Sequence, residues 1–170
     1  MGFTKKLITV NIEAVVAMTK IVLPGMAARR KGAVVNLSSM SALALSPFFA
    51  VYGGSKSFVD YFSRALSLEY SEFGITVQSV SPFYVRTPMT EPQSKILSRF
   101  LFFYPTAETF AASAVRTLPF AEQTTGYWLH GWIFFWCTSI SGMWVNVRLW
   151  HYLGRKLIKR RGFDETGGLV

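Results

Sequence analysis

The chain of 170 residues contains one cysteine, Cys137, and two histidines, His130 and His151. One cysteine excludes an internal disulfide framework, and so few sulfur and imidazole ligands exclude the common zinc sites. We therefore predict no metal site and assign no catalysis to these three residues. Hydrophobic residues make up 51% of the chain. This fraction excludes the disorder that is typical of chains with few hydrophobic residues, and it is enough for the core of one domain.

Acidic residues are also scarce: the chain has nine Asp and Glu against 18 Lys and Arg, a net charge of +9. No acidic residue lies between Gln123 and Phe163, a stretch that holds six basic ones: Arg148, Arg155, Lys156, Lys159, Arg160 and Arg161. The positive charge therefore belongs to a tail and not to the whole surface. Because no nucleic-acid-binding fold accompanies the cluster, we predict no nucleic-acid partner.

Apolar residues recur at helical spacing from Leu7, which predicts an amphipathic helix to about Arg30, bent at Pro24-Gly25. A β-branched run, Ala33 to Leu37, predicts a buried strand, and Ser38 to Ser46 is predicted as loop. Another helical pattern runs from about Tyr52 to Ser71.

A second strand-like run, Ile75 to Ser81, follows this helix and stops at Pro82. Two strands that are separated by a helix need a crossover connection, which favours an α/β fold with a parallel sheet. After Pro105, Thr106 is predicted as the N-cap of a further helix that carries Phe110, Ala114 and Val115 inward.

Tyr52 and Lys56 are four residues apart, so both side chains emerge on one face at the beginning of the second long helix. A nearby lysine cation favours the phenolate and so lowers the pKa of a tyrosine, which suits proton transfer. Ser39 follows the first strand and Pro82 the second, and ligands of parallel α/β sheets bind beyond these strand ends. We expect the four residues to gather at this edge.

The pattern resembles the C-terminal half of a short-chain dehydrogenase/reductase, a Rossmann-like doubly wound parallel sheet. The matching elements are Asn11 on the first helix, Asn36-Leu37-Ser38-Ser39, Tyr52-Gly53-Gly54-Ser55-Lys56, and the segment from Pro82 to Thr87. Within that superfamily the chain is most similar to the 17-beta-hydroxysteroid dehydrogenase type 12 and type 3 group, which includes very-long-chain 3-oxoacyl-CoA reductases. That narrower match is carried by three segments: Ile21 to Met26, Phe58 to Ser63, and Thr125 to Tyr127.

The resemblance implies a role for each matching residue. Tyr52 would be the general acid for the carbonyl oxygen, while Lys56 would lower its pKa and hold the nicotinamide ribose of NADPH. Ser39 would orient the carbonyl, and Asn11 would hold a water that relays protons to Lys56. Three residues would line the nicotinamide end of the cofactor: Pro82, Val85 and Thr87. The implied activity is reduction of a 3-oxoacyl-CoA or a 17-ketosteroid, with a lipid or steroid ketone as substrate.

The Gly-rich dinucleotide loop of the superfamily does not occur in the sequence, and Phe83 stands where most members have glycine. We therefore expect a fragment or truncated product in which Ala33 to Leu37 exposes a hydrophobic sheet edge. Two readings stay open, an active reductase and an inactive hydroxysteroid dehydrogenase-like protein. A third arrangement, in which another chain supplies the first half of the sheet, also stays open.

We place the catalytic part at residues 1–130 and an aromatic, basic, membrane-associated tail at 131–170. Tyr127 to Val145 is uncharged and nearly reaches spanning length, with the basic cluster on one side. Because the resemblance uses Thr125 to His130 as the last strand, we favour membrane association over spanning. The apolar run Phe100 to Tyr104 is predicted to form a substrate lid or a membrane contact.

The resemblance implies a location in the endoplasmic reticulum membrane or, alternatively, in the mitochondrion. A homodimer through the helices at 7–30 and 52–71 is also predicted.

Overall fold

The computed structural model describes residues 2–88, 90, 104–140, 144–145, 147–148, 151–152 and 155. Helix α1 (Phe3–Ile8) continues through a π-helical segment (Thr9–Glu13) into helix α2 (Ala14–Ala28). The first predicted helix is thus present, with an earlier start, and it continues past Pro24 to Ala28. The run Phe3–Ala28 is long and apolar enough to cross a membrane, with a mean hydropathy of 1.6.

A parallel sheet forms the centre of the described fold. Strand β1 (Gly32–Leu37) pairs in parallel with β2 (Ile75–Val80), whose end pairs with the short strand β3 (Gln123–Thr124). Between β1 and β2 lie α3 (Met40–Leu43), α4 (Ala50–Tyr70) and a 3₁₀ turn. The predicted parallel α/β fold is therefore confirmed, although Ser38 to Ser46, predicted as loop, contains the helix α3.

Helices cover both faces of β2. On one face, Leu23 of α2 and Leu66 of α4 pack against Ile75 and Val77. On the other face, Phe110 and Ala114 of helix α5 (Ala107–Arg116) pack against Val80. Because alternate residues of a strand point to opposite faces of the sheet, β2 contributes side chains to the core on both sides.

The helix after Pro105 starts as predicted, because the Thr106 hydroxyl accepts a hydrogen bond from the Thr109 amide at 3.2 Å. Phe110 and Ala114 are buried, but Val115 is 65% exposed, so its predicted inward position is wrong. Val115 follows Ala114 directly, and a helix turns by about 100° per residue, which carries it off the core face.

The last strand is also corrected by the structure. Thr125 to His130 was expected to be a strand, but β3 ends at Thr124 and helix α6 (Trp128–Phe135) follows, continuing into a π-helical segment (Trp136–Ile140). Gly126 has a φ of +74°, and a Cβ there would approach Phe110 and Val80 within 3 Å. Only glycine fits this tight turn, which ends the strand and redirects the chain into α6.

Strand β1 leaves one face uncovered in the described part of the chain. Val34 packs on the α2–α4 core, whereas Val35 and Leu37, which point to the other face, are exposed. β1 pairs there with β2 alone. The hydrophobic edge expected from the sequence is therefore present among the described residues.

A buried carboxylate connects α4 to both neighbouring strands. Asp60 accepts a hydrogen bond from the Ser79 hydroxyl at 2.6 Å and two from the Gln123 amide at 2.9 and 3.0 Å. Arg64, one turn further along α4, lies 3.7 Å from the same carboxylate. Charge-assisted bonds of this kind are stronger than neutral ones, so Asp60 fixes the helix on β2 and β3.

We predict that Asp60→Ala destabilises the chain strongly. The Ser79 hydroxyl and the Gln123 amide would lose their acceptor, and an unsatisfied buried polar group costs about 1–3 kcal/mol. The free energy of unfolding is measured by urea denaturation. Glu69→Ala, an exposed acidic position on the same helix, is the control and should stay within about 0.5 kcal/mol of wild type. Equal effects of the two substitutions would contradict the role of Asp60.

Candidate active site

The loops after β1 and β2 are joined at the carboxyl edge of the sheet. The Ser38 amide donates to the Val80 carbonyl at 2.7 Å, and the Met40 amide donates to the Pro82 carbonyl at 2.9 Å. Ser39 lies between these two bonds and therefore beside the Pro82 loop. The gathering of Ser39 and Pro82 at one edge, which the sequence predicts, is thus present.

Lys56 is fixed at the end of β1. Its Nζ atom donates to the Leu37 carbonyl at 2.8 Å, while its own carbonyl accepts from the Ser38 hydroxyl at 2.7 Å. Nζ also lies 6.0 Å from the centroid of the Tyr52 ring. Burial lowers the pKa of Lys56, because desolvation disfavours the cation. The lysine and the tyrosine therefore face the same edge, as their spacing predicts.

Ser39 is the N-cap of α3, and its Oγ atom accepts a hydrogen bond from the Ser41 amide at 3.1 Å. A hydroxyl has one proton to donate in addition to its acceptor lone pairs. Since the Ser41 amide occupies a lone pair, the proton of Ser39 is available for a carbonyl oxygen. This arrangement suits the orienting role that the resemblance implies for Ser39.

Asn11 lies in the π-helical segment between α1 and α2, and such segments are frequent at functional sites. Its side-chain amide donates to the Ser55 hydroxyl at 2.9 Å, and that hydroxyl donates to the Tyr52 carbonyl at 2.7 Å. Asn11 is therefore attached to the first turns of α4. The water relay to Lys56 stays a prediction.

The three residues predicted to line the cofactor differ in their surroundings. Pro82 lies at the strand edge, whereas Val85 packs against the cluster of Val80, Phe110 and Ala114. Thr87 braces its own loop, because its amide donates to the Thr90 hydroxyl at 2.9 Å and that hydroxyl donates to the Val85 carbonyl at 2.6 Å.

Together with Lys56, the residues Pro82, Val85 and Thr87 fit the nicotinamide and ribose end of a dinucleotide. They offer an amine, a hydroxyl and apolar side chains. In the part of the chain that the structure describes, no Gly-rich loop is available for the pyrophosphate.

An aromatic cluster, which the sequence analysis missed, borders the same edge. The rings of Tyr84 and Tyr104 lie 5.8 Å apart, and Phe83 contacts Tyr84 edge-to-face at 4.9 Å. Burial raises the pKa of Tyr84, and the charge of nearby Tyr52 raises it further. The position of Tyr84, two residues after the strand-ending Pro82, is the signal that could have identified it.

His130 forms the base of the aromatic cluster. It is fully buried, and its ring centroid lies 5.3 Å from that of Tyr127 and 5.9 Å from that of Phe110. His130 therefore packs among the rings of this cluster. The segment Phe100 to Tyr104, predicted as a substrate lid or a membrane contact, lies outside the described residues except for Tyr104, which is buried.

The sequence profile of the short chain dehydrogenase family matches residues 3–97. The chain belongs to the short-chain dehydrogenase family. It is 48% identical over 124 residues to the inactive hydroxysteroid dehydrogenase-like protein 1 of Homo sapiens, a match that covers 73% of this chain and 37% of that protein.

Over 155 residues the chain is 39% identical to the very-long-chain 3-oxoacyl-CoA reductase of Bos taurus, covering 85% of this chain and 48% of the reductase. The chain thus spans less than half the length of these relatives. The solved structure of a 7beta-hydroxysteroid dehydrogenase has the same fold, with a TM-score of 0.68 at 22% identity, over 86% of this chain and 57% of that one.

We predict that Tyr84→Phe reduces the loss of stability at alkaline pH. A phenol whose pKa is raised by folding keeps its proton after the unfolded chain has lost it, so stability falls above the unfolded pKa of about 10. Urea unfolding at about pH 9 and at about pH 11 measures this loss. Phe83→Leu, which removes a neighbouring ring without a hydroxyl, is the control and should change stability equally at both pH values. An unchanged alkaline loss in Tyr84→Phe would contradict the assignment.

Proposed function

We propose that the polypeptide containing this chain is an NADPH-dependent ketoreductase that reduces a 3-oxoacyl-CoA or a 17-ketosteroid. The observation that carries the proposal is the joint position of Ser39, Tyr52 and Lys56 at the carboxyl edge of β1, with Lys56 fixed by the Leu37 carbonyl at 2.8 Å. The 39% identity to a very-long-chain 3-oxoacyl-CoA reductase supports the acyl-CoA substrate.

In this mechanism, NADPH supplies the hydride when it is bound. The Ser39 hydroxyl donates a hydrogen bond to the substrate carbonyl and orients it, while the phenol of Tyr52 transfers its proton to the developing alkoxide. Lys56 stabilises the phenolate that remains, because an adjacent cation favours the ionised form. Lys56, Pro82 and Thr87 would hold the nicotinamide and ribose end of the cofactor, and Asn11 supports the first turns of α4 through Ser55.

The alternative is a catalytically inactive protein of the hydroxysteroid dehydrogenase-like type. The 48% identity to a human relative named as inactive favours this alternative. The two hypotheses differ in whether the edge around Tyr52 transfers a proton once a dinucleotide-binding part is present.

We predict that a chimera is active when the amino-terminal part of the bovine reductase is fused to this chain, and that Tyr52→Phe lowers its kcat by about 10²–10⁴-fold. Loss of NADPH absorbance with a 3-oxoacyl-CoA measures the rate. Tyr61→Phe, an exposed tyrosine on the same helix, is the matched control and should keep the activity. An inactive, folded chimera that binds NADPH would favour the alternative, and an unchanged rate in Tyr52→Phe would remove the catalytic assignment.

We also propose that residues 131–170 form a membrane-associated tail, with the endoplasmic reticulum as the location and the mitochondrion as the alternative. Exposed aromatic side chains in the described part of the tail support it: Trp132, Phe135, Trp136 and Trp144. Aromatic and basic residues together are typical of interfacial segments. Helix α6, Trp128–Phe135, runs across the predicted domain boundary at residue 130. Of the basic cluster, only Arg155 and Arg148 lie within the described residues, and both are exposed.

The predicted homodimer stays a proposal as well. Large apolar side chains are exposed on the two helices concerned: Val10, Met18, Ile21, Tyr61 and Leu68. Exposed apolar side chains that lie together on a surface are typical of an interface. A second copy of the chain would cover it with a surface of the same chemistry.

We predict that Ile21→Glu shifts the protein from dimer to monomer, because the partner copy would have to bury a charge at the contact. Analytical ultracentrifugation measures the mass. Val35→Glu, which places the same charge on the exposed face of β1, is the control and should leave the mass at that of the dimer. A wild-type chain that sediments as a monomer would contradict the dimer.

A further inference from the structure

The C-terminal tail contacts the loop that leads into Tyr52. The rings of Phe48 and His151 are stacked, with centroids 5.3 Å apart and an angle of 6° between their planes. Phe48 has a φ of +70°, a left-handed conformation that bulky residues rarely adopt, and it lies four residues before Tyr52. The stack therefore joins the tail to the rim of the candidate active site.

The loop at this rim is apolar and exposed. Leu45 and Phe49, on either side of Phe48, are 65% and 52% exposed. No charged side chain occurs from Ser38 to Ser55. The loop thus presents hydrophobic side chains beside the residues that would bind a ketone.

The tail brings positive charge to the same rim. All described residues from 144 to 155 are helical, and the spacing of Trp144, Arg148, His151 and Arg155 places the four on one side of a helix. Trp144, Arg148 and Arg155 are exposed, while His151 makes the stack with Phe48. The side of the tail that touches the loop is therefore the side that carries the tryptophan and the two arginines.

We propose that the loop Ala44–Phe49 and this side of the tail form one surface, the rim surface, which binds an anionic lipid bilayer and opens the candidate active site toward it. The proposal rests on the membrane association of the tail and goes beyond it by including the loop. Apolar side chains of Leu45 and Phe49 enter the interface, and the arginines meet anionic headgroups.

Charge complementarity favours lipid over a second copy of the chain. The rim surface combines hydrophobic side chains with arginines, and no acidic residue occurs between Gln123 and Phe163. Two such surfaces in contact would place like charges together, which is unfavourable. An anionic bilayer provides both an apolar interior and a negative surface. A ketone dissolved in the bilayer would then reach Ser39 and Tyr52 without crossing bulk water.

The experiment follows the loop and the tail separately. Leu45→Cys, in a Cys137→Ser background, carries the environment-sensitive fluorophore NBD, and Glu72→Cys in the turn before β2 is the matched control. Four of the five tryptophans lie in the tail and the fifth, Trp128, begins the helix that leads into it, so their emission reports mainly on the tail. The probe is vesicles of phosphatidylcholine with phosphatidylserine, compared with phosphatidylcholine alone and with brominated lipid as quencher.

We expect phosphatidylserine vesicles to shift the emission of both the tryptophans and the label at position 45 to shorter wavelength, with quenching by brominated lipid and no change at position 72. Phe48→Gly, which suits the left-handed backbone, and His151→Ala, in the exposed tail, should each abolish the shift at position 45 and keep that of the tryptophans. A loop label that still shifts in both variants would overturn the role of the stack.

Different outcomes of this experiment would contradict the rim surface and the membrane-associated tail. A tryptophan shift without a shift at position 45 overturns the rim surface and leaves the membrane-associated tail intact. No shift of either reporter overturns both. Self-association without lipid that protects the label at position 45 would assign the rim surface to a second copy instead.

Discussion

The attachment of α4 to the carboxyl edge of the sheet is the constraint on which the candidate site depends. Tyr52 and Lys56 belong to this helix, whereas Ser39 and Pro82 follow strands β1 and β2, so a shift of the helix would separate them. At the active-site end, the Lys56 amine and carbonyl bond to Leu37 and Ser38. One turn further on, the buried Asp60 binds β2 and β3 through Ser79 and Gln123. Hydrogen bonds at two levels therefore fix both the position and the direction of the helix.

The same edge explains why chemistry and recognition are divided among different segments. In the proposed mechanism, helix α4 and the serine loop would supply the groups that transfer and donate protons, and the Pro82 loop would supply the wall for a cofactor. The aromatic cluster of Tyr84 and Tyr104 and the exposed residues around Phe48 border the same edge. Rigid helix and strand ends position the reactive groups, whereas loops and the tail provide the apolar surroundings, as in many α/β enzymes.

Membership of the short-chain dehydrogenase family agrees with this division of roles, since the match at residues 3–97 includes β1, α4, β2 and the Pro82 loop. The relatives include a reductase and a protein named as inactive, and the chain spans less than half of either. Its own residues hold the proton-transfer side of the proposed reaction. The exposed Val35 and Leu37 lie on the face of β1 that the described residues leave uncovered.

The sequence by itself determined the succession of long helices and strands up to Pro82, the parallel sheet, and the meeting of Ser39, Tyr52 and Pro82, because helical and strand periodicity and strand ends are local properties. Only the tertiary structure decided that Asp60 is buried, that Gly126 ends β3 and directs Trp128–Phe135 into a helix, and that Val115 faces outward. It also decided that His151 reaches Phe48. Each of these depends on contacts between residues distant in the chain, such as Gln123 with Asp60, and no local pattern encodes which distant surfaces will meet.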